Sequence, residues 1–183
     1  MNHLATSKED ILAASRDLIK ENGWAAVSIR AVASRCSVSA GTIYNYYESK
    51  ADLLSDTIES IWHEIFFHPE DEQVFHDVES CISWIYERLE YGNRQFPGFF
   101  SLHSFGFMRD EKTSGKKRMM KTWGHILNGL CEVLENDPKV RADVFDQEFT
   151  EKKFADILFS LILVSMIRQD YDPSSVLMLV KKT

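Results

Sequence analysis

The sequence predicts an all-α protein with two parts, a compact N-terminal set of short helices and a longer helical body. Apolar residues recur three and four positions apart along most of the 183 residues, which is the period of helices that bury one face. No alternating apolar run flanked by hairpin turn residues occurs. Between residues 28 and 54 the pattern indicates two short helices, a tight turn between them and the start of another helix.

Two longer helices are predicted on either side of this motif. The first begins at Ser7, a good N-cap residue, and ends at Gly23, which favours a helix C-terminus. Ser49 is the predicted cap of helix 4, which spans about residues 50–67 and ends before Pro69. Helix 4 is expected to link the two parts of the chain.

The motif itself has the layout of a helix-turn-helix. Ser28 and Ser39 each stand where a cap is needed in front of a short helix, and residues 36–38 leave room only for a tight turn. The second short helix is predicted over roughly 40–46. In this layout the second helix enters the major groove of DNA.

The body contains four further predicted helices. Apolar residues from Phe75 to Leu89 define one face of a helix that should end near Gly92-Asn93. A long helix covers Met119 to Leu134, followed by a loop at 136–148. Residues 154–167 are apolar nearly all round and predict a buried helix, and Asp172-Pro173 should start a last one.

The second short helix is chemically suited to DNA. It offers hydroxyls, an amide and aromatic area without charge, and Gly41 permits close approach of its backbone. Ala40, Gly41 and Asn45 are predicted to lie nearest the base edges, whereas phosphates are the predicted partners of Ser28, Thr42, Tyr44, Tyr46 and Lys50. The alternative is a small surface helix with ordinary core tyrosines. The predicted DNA contacts are Ser28, Ser39, Ala40, Gly41, Thr42, Tyr44, Asn45, Tyr46 and Lys50.

The first third of the chain resembles the N-terminal domain of the tetracycline-repressor (TetR) family. That family's pattern runs approximately Thr-Val-Arg-x-Ile-Ala-x-x-Ala-Gly-Val-Ser-x-Gly-Thr-Leu-Tyr-x-Tyr-Phe-x-Ser-Lys-x-x-Leu. The matching residues, in register and without a gap, are Ser28, Ile29, Arg30, Val32, Ala33, Val38, Ser39, Gly41, Thr42, Ile43, Tyr44, Tyr46, Tyr47, Ser49, Lys50 and Leu53.

The resemblance makes two further points about single residues. Ser37 stands where the family usually has Gly, so a left-handed residue is expected there, which Ser tolerates less well than Gly. Cys36 also departs from the usual Ala. Tyr47 occupies the family's Phe position and is therefore assigned to the core.

Charge and composition restrict the class of protein. The net charge is −7; residues 1–50 carry six basic and five acidic residues, and the rest carries 15 and 23. A negative net charge disfavours a protein that covers nucleic acid without regard to sequence, since such binding depends on many positive charges. The three cysteines have no disulfide or zinc spacing and the N-terminus has no apolar signal core, so a cytoplasmic protein is expected.

Catalytic and metal motifs are missing from the sequence. His63 and His68 are five apart, whereas the zinc motif on a helix needs a spacing of four, and no nucleophile elbow or phosphate loop occurs. The protein is therefore predicted to have no enzyme activity, to bind no metal or cofactor and to make no contact with a membrane.

The body is predicted to bind a small molecule. Its aromatic residues suit an apolar cavity, although core packing explains each of them singly. The resemblance implies a ligand in this region; a hydrophobic or aromatic molecule is expected, and a cation is an option. The run Lys116–Lys121 is interpreted as a solvated face, with an anion site as its alternative. The predicted ligand residues are Trp84, Phe100, His103, Phe107 and Trp123.

The last two helices are too apolar for a chain of this size to cover both. The resemblance implies that they form a four-helix bundle with a second subunit, and the alternative is that both are internal core. The predicted interface residues are Phe154, Leu158, Leu161, Ile162, Val176 and Leu179.

Together these predictions describe a helix-turn-helix DNA-binding domain at 1–50 and a ligand-binding and dimerisation domain at 51–183. The function predicted is that of a homodimeric repressor which an unknown small molecule releases from duplex operator DNA. One alternative is a ligand-independent regulator or an activator of the same fold. Another, from a different class, is a small helical enzyme that uses the aromatic cavity.

Overall fold

A computed structural model describes residues 6–66, 75–100, 114–141 and 143–183, and it describes the backbone alone at 114–119, 121 and 122. These residues form helices and connecting turns without any strand, so the predicted all-α class is confirmed. The chain divides into an N-terminal unit, Met1–His68 with Gln95–Pro97, and a C-terminal unit, Pro69–Arg94 with Gly98–Thr183. Helix 4 belongs to the first of these, and the functional boundary after residue 50 stays a prediction.

The N-terminal unit is built from helices that begin at serine caps. Ser7 accepts a hydrogen bond from the Asp10 N–H at 3.1 Å, and the Asp10 carboxylate accepts one from the Ser7 N–H at 2.8 Å; this capping box confirms Ser7 as the N-cap. Gly23, with φ +76°, ends the first helix as predicted. The helices are α1 (Lys8–Asn22), α2 (Ile29–Arg35), α3 (Ala40–Tyr44) and α4 (Lys50–Phe66), with a 3₁₀ turn at Trp24–Ala26.

One core holds these four helices together. Tyr47 is 4% exposed, which confirms its assignment to the core. Ion pairs join α1 to α4: Lys8 Nζ lies 2.6 Å from an Asp56 carboxylate oxygen, and Glu64 pairs with both Arg16 and Lys20. The fully buried core residues are Ile11, Val27, Val32, Ile43, Leu53, Ile61 and Ile65.

The C-terminal unit contains α5 (Val78–Gln95), α6 (Ser114–Asn136), α7 (Glu151–Arg168) and α8 (Ser174–Val180). The predicted end of α5 near Gly92-Asn93 is wrong, since the helix continues to Gln95. Glycine inside a helix costs only about 1 kcal/mol, and Gly92 is buried against the rest of the unit. The loop predicted at 136–148 lies between α6 and α7. No described helix is both long and apolar enough to cross a membrane.

Helices α6 and α7 pack against each other through one face of each. The Trp123 ring meets the Phe159 ring edge-on with centroids 5.8 Å apart, and Leu130 and Leu134 are buried on the same helix as Trp123. The prediction that α7 is buried nearly all round is wrong. Ile157, Val164 and Ile167 are 43%, 40% and 45% exposed, because only one side of α7 faces its own unit.

Candidate nucleic-acid interface

The turn between α2 and α3 is a Schellman motif. The Val38 N–H donates to the Ala33 carbonyl at 2.9 Å, and the Ser37 N–H donates to the Ser34 carbonyl at 3.1 Å. Ser37 has φ +56°, so the expected left-handed residue is confirmed. The turn therefore keeps the geometry that glycine would favour, with a serine side chain in it.

Both caps of the motif form as predicted. The Ser28 Oγ accepts a hydrogen bond from the Ala31 N–H at 3.1 Å, and the Ser39 Oγ accepts one from the Thr42 N–H at 3.2 Å. The Ser39 Oγ also lies 3.0 Å from the Thr42 Oγ1. These hydroxyls thus set where each short helix begins, and their predicted contact with DNA stays a prediction.

Helix α3 packs one side against its own unit and exposes the other side to solvent. Ile43 is fully buried and anchors the helix, whereas Gly41, Tyr44 and Asn45 are exposed, Tyr44 by 55%. The helix ends at Tyr44, two residues before the predicted end, since Asn45 already occupies its C-cap position. Two of these exposed residues, Gly41 and Asn45, are among the three that were predicted to lie nearest the base edges.

Tyr46 has a partner inside the unit. Its hydroxyl donates a hydrogen bond to the Thr6 carbonyl at 2.7 Å, across 40 residues of sequence. Tyr46 therefore ties the segment before α1 to the end of α3, a role that sequence reasoning missed because no local spacing signals it. Contact between Tyr46 and phosphate stays a prediction; because phosphate oxygens accept and the hydroxyl has a single hydrogen, that contact would replace the bond to the Thr6 carbonyl.

Carboxylates neutralise most of the positive charge of this unit. Arg35 makes two hydrogen bonds of 2.6 and 2.5 Å to the Glu21 carboxylate, which lower the pKa of Glu21. Lys8, Arg16 and Lys20 are paired with acids of α1 and α4. Within the part of the chain that the structure describes, Arg30 and Lys50 have no such partner.

Arg30 is a candidate DNA contact that sequence reasoning missed. It is exposed in the first turn of α2, two residues after Ser28. An unpaired guanidinium beside a predicted phosphate contact is suited to binding phosphate or a guanine edge. Arg30 matches a position of the TetR-family pattern, and that match could have indicated a role in DNA binding. The structure adds that most other basic residues of the unit are held in ion pairs, which distinguishes Arg30 from them.

The predicted ligand residues have separate surroundings in the C-terminal unit. Trp84 is half-buried with its ring 5.3 Å from that of Phe75, and Phe100 is fully buried with its ring 6.3 Å from that of Tyr171. Trp123 packs on Phe159, as described above. His103, Phe107 and the side chains of the basic run, apart from exposed Met120 within it, lie outside the described residues.

The predicted dimer contacts require a correction. Phe154, Leu158, Ile162 and Val176 are 5% exposed or less within the single chain, so they have almost no surface left for a second subunit. They form the core of their own unit instead. Leu161 is half-buried and Leu179 is exposed, so both remain available.

Cysteine and metal chemistry do not add a site here. Cys36, Cys81 and Cys131 are free thiols, and burial raises the pKa of Cys81 to about 12, which keeps it protonated. Among the residues described, no three His, Cys, Asp or Glu side chains lie together as a metal site would require.

Comparison with known proteins identifies the N-terminal region. Residues 11–57 match the family of bacterial regulatory proteins, tetR family. The HTH-type transcriptional regulator UidR of Escherichia coli is 38% identical over 48 residues, which are 26% of this chain and 24% of UidR. The chain thus matches about a quarter of the length of that curated relative.

Solved structures resemble the chain over nearly its full length. A TetR transcription regulator of Haloarcula marismortui superposes with a TM-score of 0.66 at 19% identity, covering 95% of this chain and 93% of that one. FadR of Bacillus subtilis, in complex with stearoyl-CoA, gives 0.62 at 17% identity, covering 96% of each. At such low identities the similarity shows only that the chain has the same fold as these structures, over both of its units.

Proposed function

We propose that the chain is a member of the tetR family of bacterial regulatory proteins, which its residues 11–57 match, and that it acts as a homodimeric repressor which a small molecule releases from its operator. The observation that carries the proposal is the helix-turn-helix. Its α3 is anchored by buried Ile43 and exposes Gly41, Tyr44 and Asn45. In this motif such a face reads base edges in the major groove.

The division of labour on DNA follows from side-chain chemistry. Asn45 can bond adenine through two hydrogen bonds, a contact worth about 1–3 kcal/mol of discrimination. Lys50 and Arg30 supply positive charge for phosphates, with hydroxyls and backbone N–H groups adding uncharged contacts. With two unpaired cations per subunit, affinity depends on salt less steeply than for a basic DNA-binding domain.

A second copy of the chain is the proposed partner of α7 and α8. Ile157 and Val164 form an exposed apolar strip on α7, with half-buried Leu161 between them, and α8 exposes Met178 and Leu179. Exposed apolar side chains concentrated in this way are typical of an interaction surface. A dimer would present two α3 helices to half-sites about 34–36 Å apart.

The ligand is proposed to bind among the aromatic side chains of the C-terminal unit and to favour a state that no longer fits the operator. Binding of the ligand then weakens binding of the operator, and the reverse, because the two favour different states of the protein. Helix α4 is the element expected to move between these states. The structure of FadR with stearoyl-CoA indicates that this fold can hold a ligand with a large apolar part. Activity as a cytoplasmic regulator, without catalysis, belongs to the same proposal.

The decisive experiment is selection of bound sequences from random duplex DNA by the full chain. We expect one recovered motif with two inverted half-sites. Lys50→Ala should weaken binding to all sequences alike, whereas Asn45→Ala should relax preference at one position of each half-site. Equal effects of both variants on the selected and on random DNA would refute this division of roles.

The same duplex separates the proposal from its alternatives. An activator or ligand-independent regulator would keep its DNA affinity in the presence of the effector, while the repressor would lose it. Failure of the wild-type chain to select any duplex would favour the enzyme alternative.

A further inference from the structure

The C-terminal unit contains a cavity of about 610 Å³. Its walls come from the first turn of α5, from the loop that follows α6 and from the end of α8. A cavity of this size can hold a small molecule. The aromatic residues Trp84, Phe100 and Trp123 do not line it, so it is separate from the proposed effector region. Its charged lining residues are Glu79, Asp137, Lys139, Arg141, Lys181 and Lys182.

Basic residues are concentrated at this cavity. Residues 51–183 carry 15 basic and 23 acidic residues, so this part of the chain is acidic as a whole. Among the six charged side chains of the lining, however, four are basic and two are acidic. A cleft lined mainly by charges of one sign raises the local concentration of ions of the opposite sign. The charge of the lining therefore favours an anion.

The two acidic residues of the lining are already engaged within the fold. Asp137 is 8% exposed, and its two carboxylate oxygens accept hydrogen bonds of 2.8 Å from the Val78 and Lys139 N–H groups. Glu79 has one carboxylate oxygen 3.4 Å from the Lys181 Nζ. The cavity therefore offers a ligand few acceptor atoms.

The basic residues, in contrast, retain most of their hydrogen-bond donors. The Lys139 Nζ donates to the Asp77 carboxylate at 3.0 Å, which uses one of its three hydrogens. The Arg141 Nη2 lies 3.4 Å from the Lys182 carbonyl oxygen, and its Nε lies 3.8 Å from Asp143, too far for a hydrogen bond. The Lys182 ammonium has no ion-pair partner among the described residues. A ligand that supplies acceptor oxygens would satisfy these donors.

Interaction with helix ends explains only part of this arrangement. Lys181 and Lys182 directly follow α8, where the last carbonyl groups of a helix attract positive charge. That effect is confined to the last turn, whereas Lys139 and Arg141 stand three and five positions after Asn136, the end of α6. These two residues bring their charge to the cavity for another reason.

Polar contacts join the three walls of the cavity to one another. Asp137 connects the loop after α6 to the start of α5, and Lys181 connects the end of α8 to Glu79 of α5. The Arg141 N–H donates to the main-chain oxygen of Thr183 at 3.3 Å, which connects the loop to the end of α8. The donors are therefore in place before a ligand binds, which lowers the cost of ordering them.

We propose that this cavity binds a small molecule with a dianionic phosphate group or a pair of carboxylates. Arg141 and Lys182 are its main donors, because their contacts within the fold are the weakest, and Lys139 and Lys181 add positive charge beside them. Phosphate and carboxylate oxygens match the planar donor arrangement of a guanidinium. This ligand is a second one, distinct from the proposed apolar effector.

The first test titrates the full chain by calorimetry with pyrophosphate and with succinate, at an ionic strength held constant with sodium chloride. Constant ionic strength separates binding from general screening of charge. Succinamide, which has the shape of succinate without its charge, is the control. We expect saturable heat from at least one of the two anions and none from succinamide, and the anion that binds identifies the class of acid. Binding of neither anion, or equal binding of succinamide, would overturn the proposal.

The second test removes single cations. Arg141→Gln and Lys182→Gln change exposed side chains and should leave the circular dichroism spectrum and the thermal midpoint unchanged. Each should weaken the bound anion by about tenfold, the factor that a charge-assisted hydrogen bond is worth. Arg141→Lys should recover part of the loss. The matched control is Lys152→Gln, which removes an exposed lysine of α7 outside the cavity and should keep the wild-type affinity. Equal weakening in all of these glutamine variants would show an effect of net charge alone and refute the assignment.

The outcomes separate this proposal from the proposed function and from DNA binding at the same residues. Selection of duplex DNA by the wild-type chain, measured without either anion, decides the proposed function independently. Displacement of pyrophosphate by the selected duplex, together with loss of duplex affinity in Arg141→Gln and Lys182→Gln, would assign these residues to DNA phosphates. The small-molecule site would then be wrong.

Discussion

Gly41 is exposed on α3, and the packing of its own unit does not require a glycine there. A Cβ built at this position would meet only the Ser39 Oγ, at an ordinary 3.6 Å. Alanine favours a helix over glycine by about 1 kcal/mol. We therefore expect Gly41→Ala to keep or raise the thermal midpoint while weakening binding to the selected duplex, because the added methyl occupies space that the DNA needs.

Gly129 offers the matched control for this variant. It lies within α6, where a Cβ would meet nothing within 4 Å. Gly129→Ala should stabilise the protein by a similar amount and leave the duplex affinity unchanged. If Gly41→Ala also binds the duplex normally, α3 does not approach DNA as closely as proposed.

The backbone conformation that the turn requires at Ser37 is energetically unfavourable for a residue with a Cβ. Its φ of +56° is one that glycine adopts readily and that costs other L-residues about 1–2 kcal/mol. Ser37→Gly should raise the free energy of unfolding by about 0.5–1 kcal/mol, since the greater freedom of glycine in the unfolded chain offsets part of the gain. Urea unfolding measures the change, and Ser37→Ala, which keeps the Cβ, should show no gain.

At the scale of a helix, the N-terminus of α5 depends on two carboxylates. Asp77 accepts hydrogen bonds from the Ser80 N–H at 2.7 Å and from the Lys139 Nζ at 3.0 Å, and Asp137 accepts one from the Val78 N–H at 2.8 Å. The bonds that Asp77 itself accepts, that of the Ser80 backbone first and that of Lys139 second, lower the pKa of Asp77 to about 2. Lys139 thereby links the start of α5 to the loop that follows α6.

A pH dependence follows from this cap. Because the pKa is depressed in the folded state, the stabilisation is complete above the ordinary value of 3.8 and is lost as the pH falls from there towards 2. Asp77→Asn should therefore be less stable than the wild type at pH 7, and the difference should shrink below pH 4. Urea unfolding between pH 7 and 2 checks this.

The control for the cap is Asp143, an exposed residue whose nearest cation is Arg141 at 3.8 Å. Asp143→Asn should change the stability little at any pH, since exposed ion pairs contribute little. A difference for Asp77→Asn that stays constant down to pH 2 would refute its role as an ionised cap.

At the scale of the whole molecule, the exposed strip on α7 predicts assembly. Val164 is 40% exposed in the single chain, so Val164→Glu should leave the monomer folded. In a dimer the same charge would be buried without a partner, which is strongly unfavourable. We expect sedimentation as a monomer, an unchanged helical circular dichroism spectrum and loss of cooperative duplex binding.

Asn128→Glu, which adds the same charge to an exposed position of α6, serves as the control and should behave as the wild type. A wild-type chain that sediments as a monomer at micromolar concentration would contradict the proposed assembly. So would a Val164→Glu variant that remains dimeric.

Features decided within a few residues could be predicted from the sequence alone. The caps at Ser7, Ser28 and Ser39, the turn at Ser37 and the C-terminus at Gly23 form as predicted. Each depends on backbone angles or on hydrogen bonds between residues no more than five positions apart. The motif composed of them was therefore recognisable before any packing was known.

Only the tertiary structure decided which side of each helix is covered and which polar groups find partners. Leu158 and Ile162 are core and Ile157 and Val164 are surface, although all four are apolar residues of one helix. The sequence could not separate them, because burial depends on where α6 packs. The same holds for polar contacts between residues far apart in the chain, where no local pattern determines the partner. Examples are the hydrogen bond from Tyr46 to Thr6 and the ion pair between Arg35 and Asp17, one of several that occupy basic residues and leave Arg30 available.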